Sequence, residues 1–369
     1  MHHHSGVMTS KQRALQALRR EAAPDRPPLQ FDLCLQQIER FSAVYNLPLE
    51  LSPSYYEDLT YRISANRLRT RMGSDCIVVG TGPAEAFTLD RLPDGSYRNE
   101  FQMVMRQGPL YVDTIGHPLA EVSSAAEVRD FVFPDPGDPW RYRHAEKDIA
   151  ELGSDYLIIG DCEVTIFALA RQLMGMEHCL ISLVEDNDYV DLLFRNCYQW
   201  SLGVATELVT RGVEAIWFGD DFGTQQSLIM SPDTWRTRLK PLYASLFSAL
   251  KRMNPDLLII FHSDGAVAPL LPDFIELGVD VFNPVEPGVP GHEPGILKRR
   301  FGDRLSFFGA IDQQQLLPNG SPDEIRRDVH NKIRALGECG GYMVAPAHII
   351  QADTPRENTE ALINAVLEY

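Results

Sequence analysis

Seven short, almost continuous apolar runs recur along the chain, and they constrain its fold more than any other feature. The runs are CIVVG (76–80), YLIIGD (156–161), AIWFGDD (215–221), LLIIFHSD (257–264), VDVFNPVE (279–286), LSFFGAID (305–312) and YMVAPAH (342–348). Most of them are separated by segments with helical spacing, such as WRTRLKPLYASLFSALKRM. Strands that are apolar on both faces are typical of a parallel sheet covered by helices.

An eighth strand is predicted near LQFDL, at residues 29–33. Eight strands alternating with helices favour a closed (β/α)8 barrel of the α/β class over an open doubly wound sheet. The 369 residues are enough for one such domain with insertions. No GxGxxG motif opens a helix after the first strands, which disfavours a dinucleotide-binding fold.

Three segments stand apart from this rhythm. MHHHSGV, at residues 1–7, has the character of an expression-tag remnant, so we expect the barrel domain to cover residues 8–369. SKQRALQALRR predicts an N-terminal amphipathic helix with Ser10 as its N-cap. Residues 84–120 contain a PDG turn between alternating segments and predict a β-hairpin insertion.

Charge and cysteine content exclude several classes of function. The net charge of -17 disfavours nucleic acids and anionic membranes as partners, because both repel an acidic surface. The six cysteines form no CxxC pair, and no run of about 18 apolar residues indicates a membrane span. We therefore expect a cytoplasmic protein with reduced thiols.

Polar side chains cluster at the carboxyl ends of the predicted strands. They are Asp161, Glu163, Asp220, Asp221, His262, Asp264, Asn283, Glu286, Asp312 and His348. In an α/β barrel these ends converge on one mouth, where active sites are built. Simpler roles exist: Asp161 and Asp312 as helix caps, Asn283 as a turn residue, and His348 as a satisfied core histidine.

His262 and Asp264 are predicted to share one face of their strand, because side chains two residues apart point the same way. Together with His348, they offer nitrogen and oxygen ligands suited to zinc or a harder divalent metal. The same groups suit a proton-transfer pair in which a carboxylate fixes the imidazole tautomer. The H-x-D spacing leaves both options open.

Four stretches of the sequence resemble the uroporphyrinogen decarboxylase superfamily. They are GDDFGTQQSLIMSPDTWRTRLKPLY, FHSDGAVAPLLPDFIELGVDVFNPVEPGVPG, LKRRFGDRLSFFGAIDQQQLLPNGSPDEIRRDV and GGYMVAPAHIIQADTPREN. The chain looks most similar to the corrinoid-linked methyltransferases and O-demethylase-type methyltransferases of that superfamily. The resemblance implies a (β/α)8 barrel and a methyltransferase that acts with a corrinoid carried by a partner protein. A homodimer is compatible with it.

Two departures from the superfamily pattern shape the expected chemistry. The arginine-rich N-terminal signature of the decarboxylases is missing, and the cluster Arg62, Arg67, Arg69 and Arg71 is interpreted as a solvated helix face. The zinc methyltransferases carry His-x-Cys and a later Cys, where this chain has His262-x-Asp264 and His348. Oxygen and nitrogen ligands suit activation of a methyl ether or methylamine better than binding of a thiolate such as coenzyme M.

The resulting hypothesis assigns a role to each candidate residue. The expected metal ligands, for zinc most of all, are His262, Asp264 and His348. The expected catalytic residues are Glu163, Asp220, Asp221, Asp264 and His348. The expected substrate-binding residues are Asp161, Gln225, Asn283 and Asp312. Two alternatives stay open: a metal-free lyase acting on a tetrapyrrole or other polycarboxylate, and a non-catalytic binder of corrinoid or tetrapyrrole.

Overall fold

A computed structural model describes residues 8–54, 61–109 and 111–369, so residues 1–7 lie outside the described chain. Seven strands form one parallel sheet in the order β1-β6-β7-β8-β9-β10-β11. Their bounds are β1 Cys76–Val79, β6 Leu157–Glu163, β7 Ala215–Gly219, β8 Leu258–His262, β9 Val281–Val285, β10 Ser306–Ile311 and β11 Tyr342–Pro346. Six of these strands lie within the predicted apolar runs, and β6 extends two residues beyond its predicted run of 156–161.

The segment around Leu29 occupies the eighth place and closes the sheet. Gln30 N donates to Val344 O of β11 at 3.0 Å, and Asp75 N, just before β1, donates to Leu29 O at 2.8 Å. Leu29 and Leu33 each form an isolated parallel bridge on the β11 side. The predicted α/β barrel is therefore confirmed. A short bridging segment takes the position of its eighth strand.

Helices surround the barrel in chain order. Their bounds are α1 Ser10–Leu18, α2 Leu35–Tyr45, α3 Asn66–Met72, α4 Ala125–Asp130, α5 Arg143–Leu152, α6 Phe167–Met174, α7 Met176–Val184, α8 Asp188–Thr210, α9 Pro232–Arg238, α10 Lys240–Met253, α11 Leu271–Glu276, α12 Pro294–Phe301, α13 Leu316–Asn319, α14 Pro322–Leu336 and α15 Arg356–Leu367. Two 3-10 turns, Pro139–Tyr142 and Ala268–Leu270, precede α5 and α11. Within the described residues, none of these helices combines the length and the apolar character that a bilayer crossing requires.

Helix α1 closes the base of the barrel. Ala14 and Leu18 pack against side chains that point into the barrel, including Trp217 and Phe308. Thr9, rather than the predicted Ser10, caps the helix in a capping box with Gln12, since the Thr9 hydroxyl accepts from Gln12 N at 3.2 Å. The N-cap prediction was wrong by one residue, whereas the predicted helix is amphipathic, with Ala14, Ala17 and Leu18 buried.

A buried ion-pair node joins α1, the closing segment and β1. Asp75 is fully buried and accepts from Arg13 Nη1 at 2.7 Å, from Arg26 Nη1 at 2.7 Å and from Leu29 N at 2.8 Å. Arg13 is further paired with Asp25 at 2.6 Å. The base of the barrel is thus held by one carboxylate that several chain segments share.

The β-insertion lies between β1 and β6. It is a four-stranded antiparallel sheet whose strands are β2 Asp90–Arg91, β3 Tyr97–Arg98, β4 Val104–Gln107 and β5 Val112–Gly116. The PDG sequence, residues 93–95, forms the turn that links β2 to β3. The predicted hairpins at residues 84–120 are present and extend into a small sheet.

Candidate active site at the barrel mouth

Side-chain alternation brings two of the predicted strand ends into the barrel mouth. In β6, Ile159 points into the barrel, and Asp161 and Glu163 continue the same row. In β8, Ile260 points inward and His262 follows on the same face. The layers of apolar side chains that fill the barrel therefore end in a polar layer at the mouth.

Asp220 and Asp221 are adjacent in sequence but serve different regions. Asp220 is 1% exposed, and its carboxylate accepts from the backbone N–H groups of residues 166–168 at 2.7–2.9 Å and from the Tyr243 hydroxyl. Burial raises the pKa of Asp220 to about 6, against the lowering effect of these hydrogen bonds. The structure places the Asp220 carboxylate at the start of α6, outside the mouth, where it anchors the helix. Its backbone N–H donates to His262 O at 3.1 Å, which joins β7 to β8.

We expect Asp220→Ala to destabilise the fold by about 3 kcal/mol or more, because it leaves three N–H groups and a hydroxyl buried without an acceptor. Asp221→Ala, at the half-exposed mouth, is expected to cost clearly less. Urea unfolding of both variants checks the difference. Equal midpoints for the two variants would show that Asp220 has no anchoring role.

His262 is the centre of the polar layer. Its Nδ1 lies 2.7 Å from Asn283 Oδ1 and 3.4 Å from Glu163 Oε1. Its Nε2 lies 3.5 Å from Asp221 Oδ1 and 3.6 Å from Asp264 Oδ1. Burial lowers the pKa of His262, but the charges of Glu163 and Asp264 and the hydrogen bonds to Asp221 and Asp264 outweigh it and raise this pKa well above its usual value.

The groups around Nε2 form a candidate metal centre. One ligand atom from each of Asp221, His262 and Asp264 lies within 4.8 Å of the others. His348, predicted as the third ligand, is not part of this group: its ring centroid is 6.3 Å from that of His262. With Nδ1 donating to Asn283 Oδ1, a metal that displaced the proton of Nε2 would find an imidazole nitrogen beside two carboxylates, and this donor set fits a divalent metal.

Backbone contact between two loops fixes the spacing of Asp221 and Asp264. Ala266 N donates to Thr224 O at 2.8 Å, and Asp264 N donates to Asp221 Oδ1 at 3.2 Å. A Cβ on Gly265 would lie 2.4 Å from the carbonyl carbon of Gly223, and a Cβ on Gly223 would lie 2.6 Å from Ala266 N. The loops after β7 and β8 are thus in contact through backbone alone at this point.

Arg62 is a member of the site that the sequence reasoning missed. It is 5% exposed and pairs with Asp32 at 2.9 Å, with Asp161 at 3.4 Å and with Glu163 in a short contact. Arg69 is likewise buried and pairs with Asp32 at 2.8 Å. The interpretation of the arginine cluster as a solvated helix face was therefore wrong for these two residues, because the acidic partners that bury them come from other segments.

The cluster's other two arginines behave as expected of a surface. Arg67 is 46% exposed and pairs with Glu50 and Glu151, and Arg71 is exposed with its guanidinium 5.9 Å from the Tyr45 ring centroid. Of the four arginines in the cluster, Arg62 and Arg69 are therefore buried, and Arg67 and Arg71 are exposed.

Asp161 has an unusual electrostatic setting for a carboxyl at the mouth. Burial raises its pKa to about 6, opposed by the charge of Arg62 and assisted by that of Glu163. Its side chain retains 20% exposure, so the mouth can reach it. In the described part of the chain, Asp161 caps no helix, and its Oδ1 accepts from Glu163 N at 3.3 Å. A carboxyl of this pKa can hold or release a proton near neutral pH.

His348 lies at the rim next to the insertion. Its ring centroid is 5.8 Å from that of Tyr111, which comes from the segment just before β5. Its Nδ1 is buried and has no hydrogen-bond partner among the described residues. Tyr111 and Ile349 also line a cavity of about 230 Å³ beside the rim. His348 therefore faces the space between the barrel and the insertion.

Three predicted residues take supporting positions. Gln225 Nε2 donates to Glu286 Oε1 at 2.8 Å, and Glu286 Oε2 accepts from Gly265 N at 2.8 Å. Asn283 holds the His262 ring, as described above. Asp312 accepts from the N–H groups of residues 314 and 315 at 2.8 and 2.9 Å in the turn before α13, and it is not part of the cluster around His262.

Comparison with known proteins agrees with this architecture. The sequence profile of the family described as "Uroporphyrinogen decarboxylase (URO-D)" matches residues 119–369, more than half of the chain. The chain belongs to the uroporphyrinogen decarboxylase family. The expected membership of that superfamily is confirmed, and the matched residues include Asp161, Glu163, Asp221 and His262.

Individual curated proteins match shorter stretches of the chain. A uroporphyrinogen decarboxylase from Pseudoalteromonas translucida is 35% identical over 72 residues, 20% of this chain and 20% of that protein. A methylated-thiol–coenzyme M methyltransferase from Methanosarcina mazei is 27% identical over 146 residues, 38% of this chain and 35% of that protein. The chain thus matches about a fifth to a third of the length of these curated relatives.

A solved structure has the same fold over its whole length. A methyltransferase from Methanosarcina mazei superposes with a TM-score of 0.73 and 19% sequence identity, covering 98% of this chain and 99% of that one. The barrel, the N-terminal helices and the insertion therefore belong to one shared fold.

Proposed function

We propose that the chain is a cytoplasmic methyltransferase that moves a methyl group between a small O- or N-methylated substrate and a corrinoid carried by a partner protein. The observation that carries this proposal is the set of nitrogen and oxygen donors around His262 Nε2, formed with Asp221 and Asp264. Such a set suits activation of an oxygen or nitrogen leaving group. The names of the methyltransferase relatives support methyl transfer as the reaction class.

The charge balance of the mouth favours a cation over a polycarboxylate. Glu163, Asp221 and Asp264 surround His262. Among the described residues at the mouth, Arg62 is paired with three carboxylates, and Arg171 is paired with Asp221 at 3.0 Å. A porphyrinogen with many carboxylates needs guanidinium partners of its own, whereas a metal ion or a methylammonium group is attracted by surplus negative charge.

The set of metal ligands also bears on the identity of the methyl donor. A divalent metal, zinc first, held by Asp221, His262 and Asp264 would supply Lewis-acid polarisation of the atom that carries the methyl group. No cysteine belongs to the cluster that the described residues form there, and thiolate ligands are those that favour a bound thiolate substrate. We therefore propose an ether or amine donor rather than the methylated thiol named for the Methanosarcina mazei relative.

Two carboxyl groups are placed to manage the proton of the leaving group. Asp161, with its pKa raised to about 6, can deliver a proton to the departing oxygen or nitrogen. Glu163 bridges Arg62 and His262 and orients the imidazole. Tyr111 and His348 form an aromatic wall at the rim, against which the remainder of the donor can pack. General-acid assistance of this kind is typically worth about 10²–10⁴-fold in rate.

The test of the reaction is spectroscopic. The protein is incubated with cobalt(I) corrinoid and a panel of aryl methyl ethers and methylamines, and formation of methylated corrinoid is followed by absorbance. We expect turnover with at least one donor. Unchanged corrinoid spectra across the panel would contradict the proposal.

Metal binding is tested separately by thermal unfolding. After removal of metal with a chelator, Zn²⁺ at 100 times its Kd should stabilise the wild type by about 2.7 kcal/mol. Asp264→Ala is expected to lose most of this gain, while Asp312→Ala, outside the cluster, should keep it. Equal stabilisation of both variants would place the metal elsewhere, and no stabilisation of the wild type would favour the proton-transfer role of the same groups.

A second candidate function is a metal-free decarboxylase acting on a tetrapyrrole or other polycarboxylate. The family description and the Pseudoalteromonas translucida relative favour it. Elemental analysis of the purified protein, combined with an assay of carbon dioxide release from a porphyrinogen, separates the two. Metal-free protein that releases carbon dioxide, with His262→Ala as the inactive control, would establish the decarboxylase.

A further inference from the structure

We propose that Arg62 is a positioning residue. It holds the Glu163 carboxylate against His262 and so fixes which ring nitrogen of His262 is turned to the substrate. Arg62 lies outside the strand ends, in the segment that leads into α3. No strand-end pattern points to it. Its role follows from a chain of buried contacts that ends at His262.

The guanidinium of Arg62 is held by one aromatic ring and three carboxylates. Its plane lies against Trp217, with Cζ 3.9 Å from the ring centroid. Its Nε donates to Asp32 Oδ2 at 2.9 Å, and its Nη1 contacts both Asp161 and Glu163. Burial opposes the charged form, but the charges of Glu163, Asp32 and Asp161 outweigh it, and the pKa of Arg62 is raised.

The anchor behind Arg62 is itself rigid. Asp32 accepts from Arg69 Nη1 and from Gln30 Nε2, both at 2.8 Å. Arg69 also donates to the carbonyl oxygen of Arg62, so backbone and side chain of Arg62 are held by one buried network. Because these groups are buried, rearranging any of them would leave a charge or donor without its partner.

Two contacts hold Glu163 beside His262. A Cβ on Gly219 would lie 2.3 Å from Glu163 Cγ, so the bare backbone of β7 forms one wall of its seat. Arg62 forms the other wall through its contact with Glu163 Oε2, which leaves Oε1 3.4 Å from His262 Nδ1.

The imidazole is fixed as a result. Nδ1 is directed toward Asn283 and Glu163, so Nε2 is the atom turned to Asp221, Asp264 and the mouth. This second layer of acceptors sets the tautomer, as it does for histidines that serve metals or protons. The role assigned to Arg62 rests on the function proposed above, because the orientation of His262 matters to the reaction only if His262 is part of it.

The test observes His262 without any substrate or metal. The chain is labelled with ¹⁵N-histidine, treated with a chelator, and compared by NMR as wild type, Arg62→Met, Glu163→Gln and the matched control Arg67→Met. Arg67 belongs to the same segment but is a half-exposed surface arginine. A His262→Gln variant assigns the ring signals.

We expect the Nδ1–H resonance of His262 to shift, or to be lost through faster exchange with water, in Arg62→Met and Glu163→Gln but not in Arg67→Met. Unchanged His262 signals in an Arg62→Met chain that melts like the wild type would overturn the proposal. If Arg62→Met fails to fold, Glu163→Gln decides in the same way, since it keeps the side-chain volume. The spectra need no turnover, so a failed methyl-transfer assay leaves this result intact.

Discussion

Replacing His262 by alanine is expected to lower the rate of methyl transfer about 10³-fold, within the range that general-acid and metal-ligand side chains contribute. His262 is the only imidazole within 4 Å of Glu163, Asp221 and Asp264 among the described residues. Without it, the three carboxylates lose the group that joins them, and neither a metal nor a proton can be held at Nε2. The measurement is kcat/KM with the donor that the panel identifies.

The matched control is His330→Ala. His330 lies on α14, where its Nε2 is 3.1 Å from Ala365 O, far in the fold from the mouth. Its removal is expected to leave kcat/KM unchanged. A His262→Ala enzyme that is folded and retains more than about a tenth of wild-type activity would be incompatible with the proposed site, because even modest acid catalysis is worth more than that.

Replacing Asp75 by alanine is expected to destabilise the protein by about 3–5 kcal/mol, the cost of removing one partner from a buried ion pair. Asp75 is fully buried and serves Arg13, Arg26 and the backbone of Leu29 together. Its loss leaves two guanidinium groups at the base of the barrel facing no carboxylate at that position. Urea unfolding followed by circular dichroism measures the effect.

The control for this prediction is Asp323→Ala on α14. Asp323 is 88% exposed and pairs with Arg326 across one helical turn, an arrangement worth about 0–1 kcal/mol. We expect its midpoint to stay near that of the wild type. An Asp75→Ala midpoint equally close to the wild type would mean that the arginines at the base find other acceptors at little cost.

The barrel was predictable because its strands are buried on both faces. A strand covered by helices outside and by core inside must be apolar at nearly every position, so seven of the eight strand positions stood out as continuous runs. Because nearly every position is apolar, the sequence does not show which side chains point into the barrel and which point to the helices. In AIWFG, for example, both faces of the strand are apolar. The alternating side chains that include Trp217 point inward and continue to Asp221, and those that include Phe218 continue to Asp220.

The features of the site that the sequence did not reveal depend on tertiary contacts. Arg62 and Arg69 are buried only because Asp32, Asp161 and Glu163 meet them from other segments, which no local spacing encodes. His348 follows β11 on a loop, so its distance from His262 depends on loop geometry rather than on strand register. His262 and Asp264, by contrast, were found because a strand and the residues just after it fix their spacing.

The glycine pair at the mouth carries an evolutionary consequence. Gly223 and Gly265 approach each other so closely that a methyl group on either would meet the backbone of the opposite loop. Neither loop can therefore acquire a larger residue at this point without a matching retreat by its neighbour. Among related sequences we expect residues 223 and 265 to covary. Exchanging one loop between relatives without the other is expected to separate Asp221 from Asp264.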